Sequence, residues 1–177
     1  RRNLDMTYIV MDNRIYGLTK GQASPTSRAD FETATTPEGP QQPPVNPLAL
    51  ALAAGGTFIA QTFATDAKRH AEIVQAAIEH DGFGFVNVFS PCVTFNDVDT
   101  YEYFRGNLVD VADADHDPTD YDAATSVIMD REQEYQGILW QDEQSVSYHT
   151  QHGVTDPMID VGAGAPEGAM DLVREFY

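Results

Sequence analysis

The sequence predicts a three-layer α/β domain with helices on both faces of a parallel sheet. Short apolar runs typical of strands occur at 7–11, 57–63 and 84–89. The two segments before the later runs, 46–54 and 66–81, carry helix signals. Strands that alternate with helices over short connections favour parallel pairing with right-handed crossovers. At 177 residues and 42% apolar residues, the chain is long enough for one domain with its own core.

The first element is the β-branched and aromatic run from Thr7 to Met11, which stops at Asp12 and Asn13. Such a run, bounded by turn-forming residues, predicts a buried strand that ends in a polar loop. In open α/β sheets, ligands bind beyond the carboxyl ends of the strands. We therefore consider the loop after Asp12 a candidate site. The alternative is that Asp12 and Asn13 only turn the chain.

The next segment, residues 23–46, contains five prolines together with many Ser, Thr and Gly residues. It cannot form a helix or a central strand. A loop of this length is uncommon unless it acts as a lid, a binding loop or a linker. Two interpretations stay open: the segment covers a cofactor or partner site, or it is an inert surface excursion.

Two helices follow from their start and stop signals. Asn46 is a good N-cap, Pro47 suits the first helical position, and Gly55 with Gly56 ends the first helix. After the strand over 57–63, Thr65 or Asp66 caps the second helix. Its apolar residues recur at helical spacing until Gly82.

The third strand, Gly84 to Phe89, precedes Pro91, which cannot join a strand ladder. Cys92, the one cysteine of the chain, therefore follows a strand end. If the strands are parallel, Cys92 lies at the same sheet edge as Asn13. A lone cysteine is most often a small buried apolar residue.

Beyond Cys92 the pattern is weaker, and we predict a series of short elements. They are a helix over 101–108, an acidic turn over 113–117, a helix capped by Thr119 that continues through Ile128, a strand over 137–141 and a last helix from Pro166.

The net charge of −18 is concentrated in the second half of the chain. Residues 1–91 carry 9 acidic and 7 basic residues, whereas residues 92–177 carry 19 acidic and 3 basic residues. This excess argues against a nucleic-acid partner. With only two lysines, it favours a protein that works in concentrated salt over one with an ordinary acidic surface. No segment has the length of a membrane span or the pattern of a signal peptide, so we expect no membrane partner and a cytoplasmic location.

The string from Asp12 to Thr26, DNRIYGLTKGQASPT, resembles half of the thiamine diphosphate motif in the β subunits of 2-oxoacid:ferredoxin oxidoreductases. The resemblance implies that the Asn13 side chain and the Ile15 carbonyl bind the Mg²⁺ that bridges the cofactor's phosphates. Both are hard oxygen donors, which Mg²⁺ prefers. It also implies cofactor contacts at Gly17 and Leu18. Lys20 is assigned to the 2-oxo acid or coenzyme A, with an exposed loop lysine as the alternative.

The string from Phe89 to Asn96, FSPCVTFN, is similar to the setting of the last cluster cysteine in the same family. The resemblance implies that Cys92 is one ligand of a 4Fe–4S cluster. Such a cluster needs four thiolates. The family's Gly-Asp-Gly and its three other cysteines do not occur in this chain. We therefore interpret the chain as the C-terminal part of a β subunit. Residues 1–100 would belong to the cofactor-binding domain, and 101–177 would form an acidic extension packed on it.

The resemblance implies a thiamine diphosphate-binding fold and an enzyme that converts a 2-oxo acid and coenzyme A to acyl-CoA and CO₂ while reducing ferredoxin. Its implied cofactors are thiamine diphosphate, Mg²⁺ and the 4Fe–4S cluster, and its implied partners are an α subunit and ferredoxin. It does not separate pyruvate from 2-oxoglutarate. Two alternatives stay open: a non-oxidative thiamine diphosphate decarboxylase or ligase, and a non-catalytic acidic module that binds a partner.

Overall fold

The computed structural model describes residues 2–154, which form one five-stranded sheet with helices on both faces. The elements alternate along the chain as far as α5. In order they are β1 Met6–Asp12, α1 Pro47–Ala53, β2 Phe58–Phe63, α2 Ala67–Glu79, β3 Phe83–Phe89, α3 Tyr101–Asn107, β4 Leu108–Asp110, α4 Tyr121–Met129, β5 Glu134–Gln141 and α5 Tyr148–Gln151.

The sheet has the order β1-β3-β2-β5-β4 and is mostly parallel. β1, β3 and β2 are parallel neighbours, as their alternation with helices predicted. β5 runs antiparallel to β2, and β4 runs parallel to β5. The parallel prediction therefore holds for the first three strands. The second half of the chain makes the sheet mixed, because β5 approaches β2 from the opposite direction.

The three-layer arrangement is confirmed by how the two sheet faces pack. On one face, Ile73 and Ala77 of α2 pack against alternate residues of β2 and β3. On the other face, α1 and α4 cover the intervening residues, including Ile59 and Phe85. Because side chains alternate along a strand, the two central strands bury both of their faces. A smaller cluster of Phe63, Phe89 and Phe104 closes the core at the carboxyl ends of the strands.

The helix caps agree with the sequence in two cases and correct it in a third. Asn46 Oδ1 accepts from the N–H of Ala49 at 3.1 Å, and Asp66 caps α2. The predicted Thr119 cap of α4 is wrong. Asp120 accepts from the N–H groups of residues 122 and 123 instead, because it directly precedes the first helical residue.

Other short elements are confirmed or extended by the structure. The helix predicted over 101–108 is present and ends at Asn107, and the acidic turn predicted over 113–117 lies two residues earlier, at 111–115. The strand predicted over 137–141 begins three residues earlier. The sequence did not reveal β4 or α5, which are three and four residues long. Segments this short carry no period that a pattern can detect. The last helix predicted from Pro166 lies outside the described residues.

One prediction about burial is wrong. β1 was expected to be a buried strand, but it lies at the edge of the described sheet and pairs only with β3. Four of its apolar side chains are exposed by 40 to 64%: Met6, Tyr8, Ile9 and Met11. The apolar composition of β1 correctly predicted a strand, but it did not determine whether that strand is buried. Burial depends on neighbouring elements on both sides of the strand.

Candidate functional site

The loop after β1 makes a tight turn that orders both predicted metal donors. Asn13 Oδ1 accepts from the N–H of Ile15 at 3.1 Å. Asp12 Oδ1 accepts from the N–H of Arg14 at 3.0 Å and from Thr26 Oγ1 at 2.7 Å. The Ile15 side chain is only 2% exposed and anchors the turn in the protein. No hydrogen bond among residues 2–154 uses the Ile15 carbonyl oxygen, so its lone pairs are available to a cation.

The rest of this loop projects outward from the domain. A two-residue bridge between Tyr16 and Gln22 closes it, with the Tyr16 N–H 2.9 Å from the Gln22 carbonyl. At its tip Leu18 is 99% exposed. Lys20 is exposed too and has a left-handed φ of 65°, which is uncommon for a residue with a side chain. Its ammonium takes part in no ion pair within the described part of the chain.

Cys92 lies beside this loop, as parallel pairing predicted. Asp12 at the end of β1 is in register with Phe89 at the end of β3, and the Ser90 N–H donates to the Asp12 carbonyl at 2.9 Å. The chain then passes Pro91 and reaches Cys92. A Cβ placed on Gly17 would lie 3.4 Å from Cys92 Sγ and 3.9 Å from Asn13 Nδ2. The two segments that carry the family resemblance therefore meet at one edge of the sheet.

An ion-pair group that the sequence did not reveal holds these segments together. We call it the Asp99 cluster, and its members are Arg14, Arg28, Asp99 and Glu134. Arg14 donates through Nη1 to Asp99 Oδ1 at 2.9 Å and through Nη2 to Glu134 Oε1 at 2.6 Å. Arg28 Nε donates to the same Asp99 oxygen at 2.9 Å. These contacts join residues 71 to 120 positions apart in the chain, so no local motif predicted them.

The electrostatics of the cluster keep both arginines charged. Burial by itself would lower the pKa of Arg14, but the carboxylates of Glu134 and Asp99 outweigh it and raise that pKa. For Arg28, burial again lowers the pKa, and the hydrogen bond and charge of Asp99 raise it more. Two guanidiniums and two carboxylates thus balance at a site where an unpaired charge would be costly.

A cavity of about 610 Å³ opens next to the Asp99 cluster, on the sheet face that α1 and α4 cover. The buried pair Gln61 and Asn87 lines it, as do residues of the proline-rich segment, including Pro44. Asn87 Nδ2 donates to Gln61 Oε1 at 3.0 Å. The proline-rich segment is irregular, as predicted, and it borders this cavity.

Two further properties concern the described residues alone. Between residues 2 and 154, no three His, Cys, Asp or Glu side chains gather into a group suited to a metal ion. The donors predicted for Mg²⁺, an amide and a backbone carbonyl, are of other kinds. None of the described helices has the length and apolar character needed to cross a membrane.

Comparison with protein families assigns both halves of the chain. Residues 1–88 match the model of the C-terminal TPP-binding domain of thiamine pyrophosphate enzymes. Residues 92–156 match the model of the C-terminal region of the pyruvate ferredoxin oxidoreductase beta subunit. The first match ends at residue 88 within β3, and the second begins at Cys92. The first half is therefore related to thiamine diphosphate-binding domains.

Curated relatives carry the same assignment. The chain is 43% identical over 119 residues to a 2-oxoacid:ferredoxin oxidoreductase subunit beta from Saccharolobus solfataricus, which covers 67% of this chain and 38% of that protein. It is 44% identical over 113 residues to subunit beta of 2-oxoacid:ferredoxin oxidoreductase 1 from Aeropyrum pernix, covering 64% of this chain and 36% of that one. This chain belongs to the family of 2-oxoacid:ferredoxin oxidoreductase β subunits.

A solved structure supports membership of this family and the fold together. The chain aligns over its whole length, with a TM-score of 0.82 and 36% identity, to 60% of a chain of the 2-oxoglutarate:ferredoxin oxidoreductase from Magnetococcus marinus. That structure was determined with 2-oxoglutarate, coenzyme A and succinyl-CoA bound. The predicted thiamine diphosphate-binding fold and family are thereby confirmed. The present chain spans less than two fifths of the length of the two curated relatives above.

Proposed function

We propose that this chain is the C-terminal part of a β subunit whose enzyme oxidatively decarboxylates a 2-oxo acid with coenzyme A and passes the electrons to ferredoxin. The observation that carries the proposal is the meeting of the Asn13 loop and Cys92 at one sheet edge, where a Cβ placed on Gly17 would lie 3.4 Å from Cys92 Sγ. The two curated relatives described above are named as β subunits of 2-oxoacid:ferredoxin oxidoreductases, which favours the oxidative enzyme over the non-oxidative alternative.

Two oxygen donors of the loop fit a magnesium site. The Asn13 carboxamide oxygen accepts one hydrogen bond and keeps a second lone pair, and the Ile15 carbonyl is unused among residues 2–154. Mg²⁺ favours oxygen ligands of this kind alongside phosphates and water. We propose that Asn13 and Ile15 supply two of its ligands. Gly17 and Leu18 would then contact the diphosphate of the cofactor.

Cys92 fits one position of an iron–sulfur cluster and no more. Its thiol is partly exposed and unpaired, at a loop rather than inside the core. Three further thiolates would have to come from polypeptide outside this sequence. When bound, thiamine diphosphate supplies the electron sink for decarboxylation, and the cluster accepts single electrons. The chain itself contributes position and electrostatics.

Lys20 is proposed as the residue that binds the carboxylate of the 2-oxo acid or a phosphate of coenzyme A. Its exposed ammonium pairs with no carboxylate in the described residues, and it is one of two lysines in the sequence. An ammonium on a flexible stem is a suitable point charge for either group. Its place two residues from exposed Leu18 leaves it free to meet a ligand.

The remaining surfaces support an assembly with other polypeptide. β1 lies at the edge of the sheet formed by residues 2–154 and presents four exposed apolar side chains, which suits a further strand of the same subunit. Exposed Leu18, Val93 and Phe95 flank the site and suit the α subunit. β5 and β4 continue the sheet begun by β1 to β3. We therefore propose that the described part of the second half, residues 101–154, forms an extension of the same domain. We also propose that the acidic surface of this extension suits concentrated salt.

The test of the metal site is a calorimetric titration of the full-length β subunit with thiamine diphosphate and Mg²⁺. Asn13→Ala removes one ligand from a cation that tolerates poor geometry badly, so we expect its Kd to rise at least about tenfold. Asp12→Asn is the matched control, because it keeps the Oδ1 acceptor for Arg14 and Thr26. An unchanged Kd in Asn13→Ala would contradict the assignment.

A second arm of this test concerns Cys92 in the assembled enzyme. Serine is a harder and poorer ligand than thiolate for iron. Cys92→Ser should therefore keep the exchange of labelled CO₂ with the 2-oxo acid but lose reduction of a dye acceptor and change the visible spectrum of the cluster. Ser90→Ala, in the same loop, serves as the control. Normal dye reduction with an intact spectrum would show that Cys92 only fills space.

A further inference from the structure

Arg14 has an unusual position, because it stands between the two residues proposed to bind Mg²⁺. Its φ of 54° places it in the left-handed region, which costs energy for a residue with a side chain. Its backbone is held on both sides. The N–H donates to Asp12 Oδ1 at 3.0 Å, and the carbonyl accepts from Ser27 Oγ at 2.6 Å.

The Arg14 side chain is held as firmly as its backbone. It points away from the loop and donates to two carboxylates, Asp99 and Glu134. Its guanidinium also lies over the rings of Phe89 and Phe104, with its central carbon 4.8 and 5.2 Å from the ring centroids. Such stacking and forked hydrogen bonding suit arginine and no other residue. The backbone of the metal loop is thus anchored to the core through one side chain.

Asp99 extends this anchor to the cysteine loop. It is 1% exposed, and its N–H donates to Asn96 Oδ1 at 2.8 Å. Asn96 Nδ2 lies 3.5 Å from the Asn13 carbonyl, and the Asn96 N–H donates to the Cys92 carbonyl at 2.9 Å. Asp99 therefore contacts the metal loop through Arg14 and the cysteine loop through Asn96. It also contacts the proline-rich segment through Arg28.

We propose that Arg14 and Asp99 are positioning residues that fix the metal-binding loop and the Cys92 loop at one spacing. The inference rests on the proposed function, since it assigns these loops their ligands. Neither residue is proposed as a ligand of the metal or of the iron–sulfur cluster. They act like the residues that hydrogen-bond to metal ligands in other proteins, because they set the orientation of the groups that bind the metal.

A matched ion pair elsewhere in the chain provides the control. Arg69 on α2 donates to Asp110 through two nitrogens at 2.7 and 2.8 Å, a geometry as good as that of Arg14 with its carboxylates. Asp110 is on β4, the last strand at the far edge of the sheet from β1. Breaking either ion pair should lower stability, but only the Asp99 cluster should also change binding at the site.

The experiment measures two quantities in the full-length β subunit: the unfolding temperature without cofactor, and the Kd for Mg²⁺ at saturating thiamine diphosphate. Arg14→Lys keeps the charge but loses the fork, and Asp99→Asn keeps the size but loses the charge. We expect both to raise the Kd by about 10- to 100-fold, whereas Arg69→Lys lowers the unfolding temperature and leaves the Kd unchanged. Glu134→Gln, which keeps the Asp99 pair, is the milder variant and should raise the Kd less.

The coupling between the loops has its own readout. In the cluster-loaded subunit, Asp99→Asn should alter the electron paramagnetic resonance spectrum of the reduced cluster, and Arg69→Lys should not. If Asn13→Ala raises the Kd but Arg14→Lys and Asp99→Asn both keep the wild-type Kd under the same conditions, the inference is overturned and the proposed function stays intact. An equal rise in Arg69→Lys would overturn it as well, because binding would then follow stability alone. If the wild type itself binds no cofactor, it is the proposed function that fails.

Discussion

β1 and β3 are neighbouring parallel strands of seven residues with similar apolar sequences, yet their surroundings differ. Every residue of β3 from Gly84 to Phe89 is buried, whereas most of β1 is exposed or half-buried. Within residues 2–154, β3 has a strand on each side and helices over both faces, whereas β1 has one neighbouring strand. The comparison shows that an apolar composition indicates a strand suited to burial, whether or not the described residues bury it. Where the structure leaves such a strand open, we infer that further polypeptide covers it.

The sharpest test of this comparison uses two aromatic residues in register. Tyr8 and Phe85 are paired across β1 and β3, and their rings stack with centroids 6.2 Å apart, but Tyr8 is 52% exposed and Phe85 7%. In the 177-residue chain we expect Phe85→Ala to lower the free energy of unfolding by about 3 to 5 kcal/mol. Tyr8→Ala should lower it by about 1 kcal/mol or less. Urea denaturation measures both.

The same pair also tests what covers β1. In a longer subunit in which a further strand pairs with β1, the cost of Tyr8→Ala should rise toward that of Phe85→Ala, because the ring would then be buried. If Tyr8→Ala lowers the free energy of unfolding by the same small amount in the short and long proteins, β1 is not covered in the longer subunit. The inference that further polypeptide covers β1 would then be wrong.

A second prediction concerns the amino ends of the same two strands, which Asn3 and His80 hold in place. Asn3 Oδ1 accepts from the N–H of Phe83, the first residue of β3, at 2.9 Å and from the Thr57 hydroxyl at 2.8 Å. His80 Nε2 lies 2.8 Å from the same hydroxyl. Because that hydroxyl gives its proton to Asn3, the imidazole must be the donor to it.

Burial lowers the pKa of His80, and the nearby carboxylates Asp142, Asp81 and Asp5 offset this only in part. The folded pKa therefore lies below the unfolded value of about 6.5. The stabilisation is complete above the unfolded pKa and is lost as the pH falls through the range below it, since the unfolded chain takes up the proton more readily.

We accordingly expect the unfolding temperature to fall more steeply below about pH 6.5 in the wild type than in His80→Gln, whose amide can still donate to Thr57. Thermal melts of both proteins from neutral to mildly acidic pH measure the difference. His149→Gln, which changes a half-buried histidine near Asp5, is the control. Parallel curves for wild type and His80→Gln would remove His80 as the cause of acid sensitivity at this end of the strands.

The smallest expected effect concerns the salt dependence of the unfolding temperature. The experiment distinguishes two sources of it, the apolar side chains of β1 and the acidic second half of the chain. Changing the aspartates of residues 110–122 together would be a poor test, because Asp110 pairs with Arg69 and Asp120 caps α4. Asp113, Asp115 and Glu143 are better targets. They are exposed, and their carboxylates have no side-chain partner within residues 2–154.

Neutralising these three residues to Asn, Asn and Gln should make the unfolding temperature rise less with KCl. The corresponding change in the free energy of unfolding should be about 0.5 kcal/mol or less per substitution. Tyr8→Ser with Met11→Ser should instead flatten the response to sulfate, which strengthens the burial of apolar surface. If the unfolding temperatures of both variants respond alike to KCl and to sulfate, the two surfaces do not make distinct contributions to the salt dependence.

Much of the fold followed from local sequence. The cap at Asn46 with Pro47, the apolar period up to Gly82 and the β-branched runs each predicted their element, because these signals act within a few residues. Elements of three or four residues, β4 and α5, gave no such signal. The reversed direction of β5 was also hidden, since a strand's sequence does not state which neighbour it will pair with.

The candidate site divides in the same way. The Asn13 loop and Cys92 were found from contiguous strings and the rule that parallel strands end at one edge. The Asp99 cluster was missed, because its four members come from four separate segments and each reads alone as an ordinary charged residue. Nothing in the neighbourhood of Asp99 in the sequence predicts a carboxylate that is 1% exposed.

The sequence by itself determined the family, the strand–helix order of the first ninety residues and the two loops proposed to bind cofactors. All of these depend on residues close together in the chain. Only the tertiary structure decided that β1 lies at the edge of the described sheet, that β5 is antiparallel to β2 and that Arg14 is held by Asp99 and Glu134. The physical reason is that burial and charge pairing are properties of surroundings, and distant segments supply those surroundings only after the chain has folded.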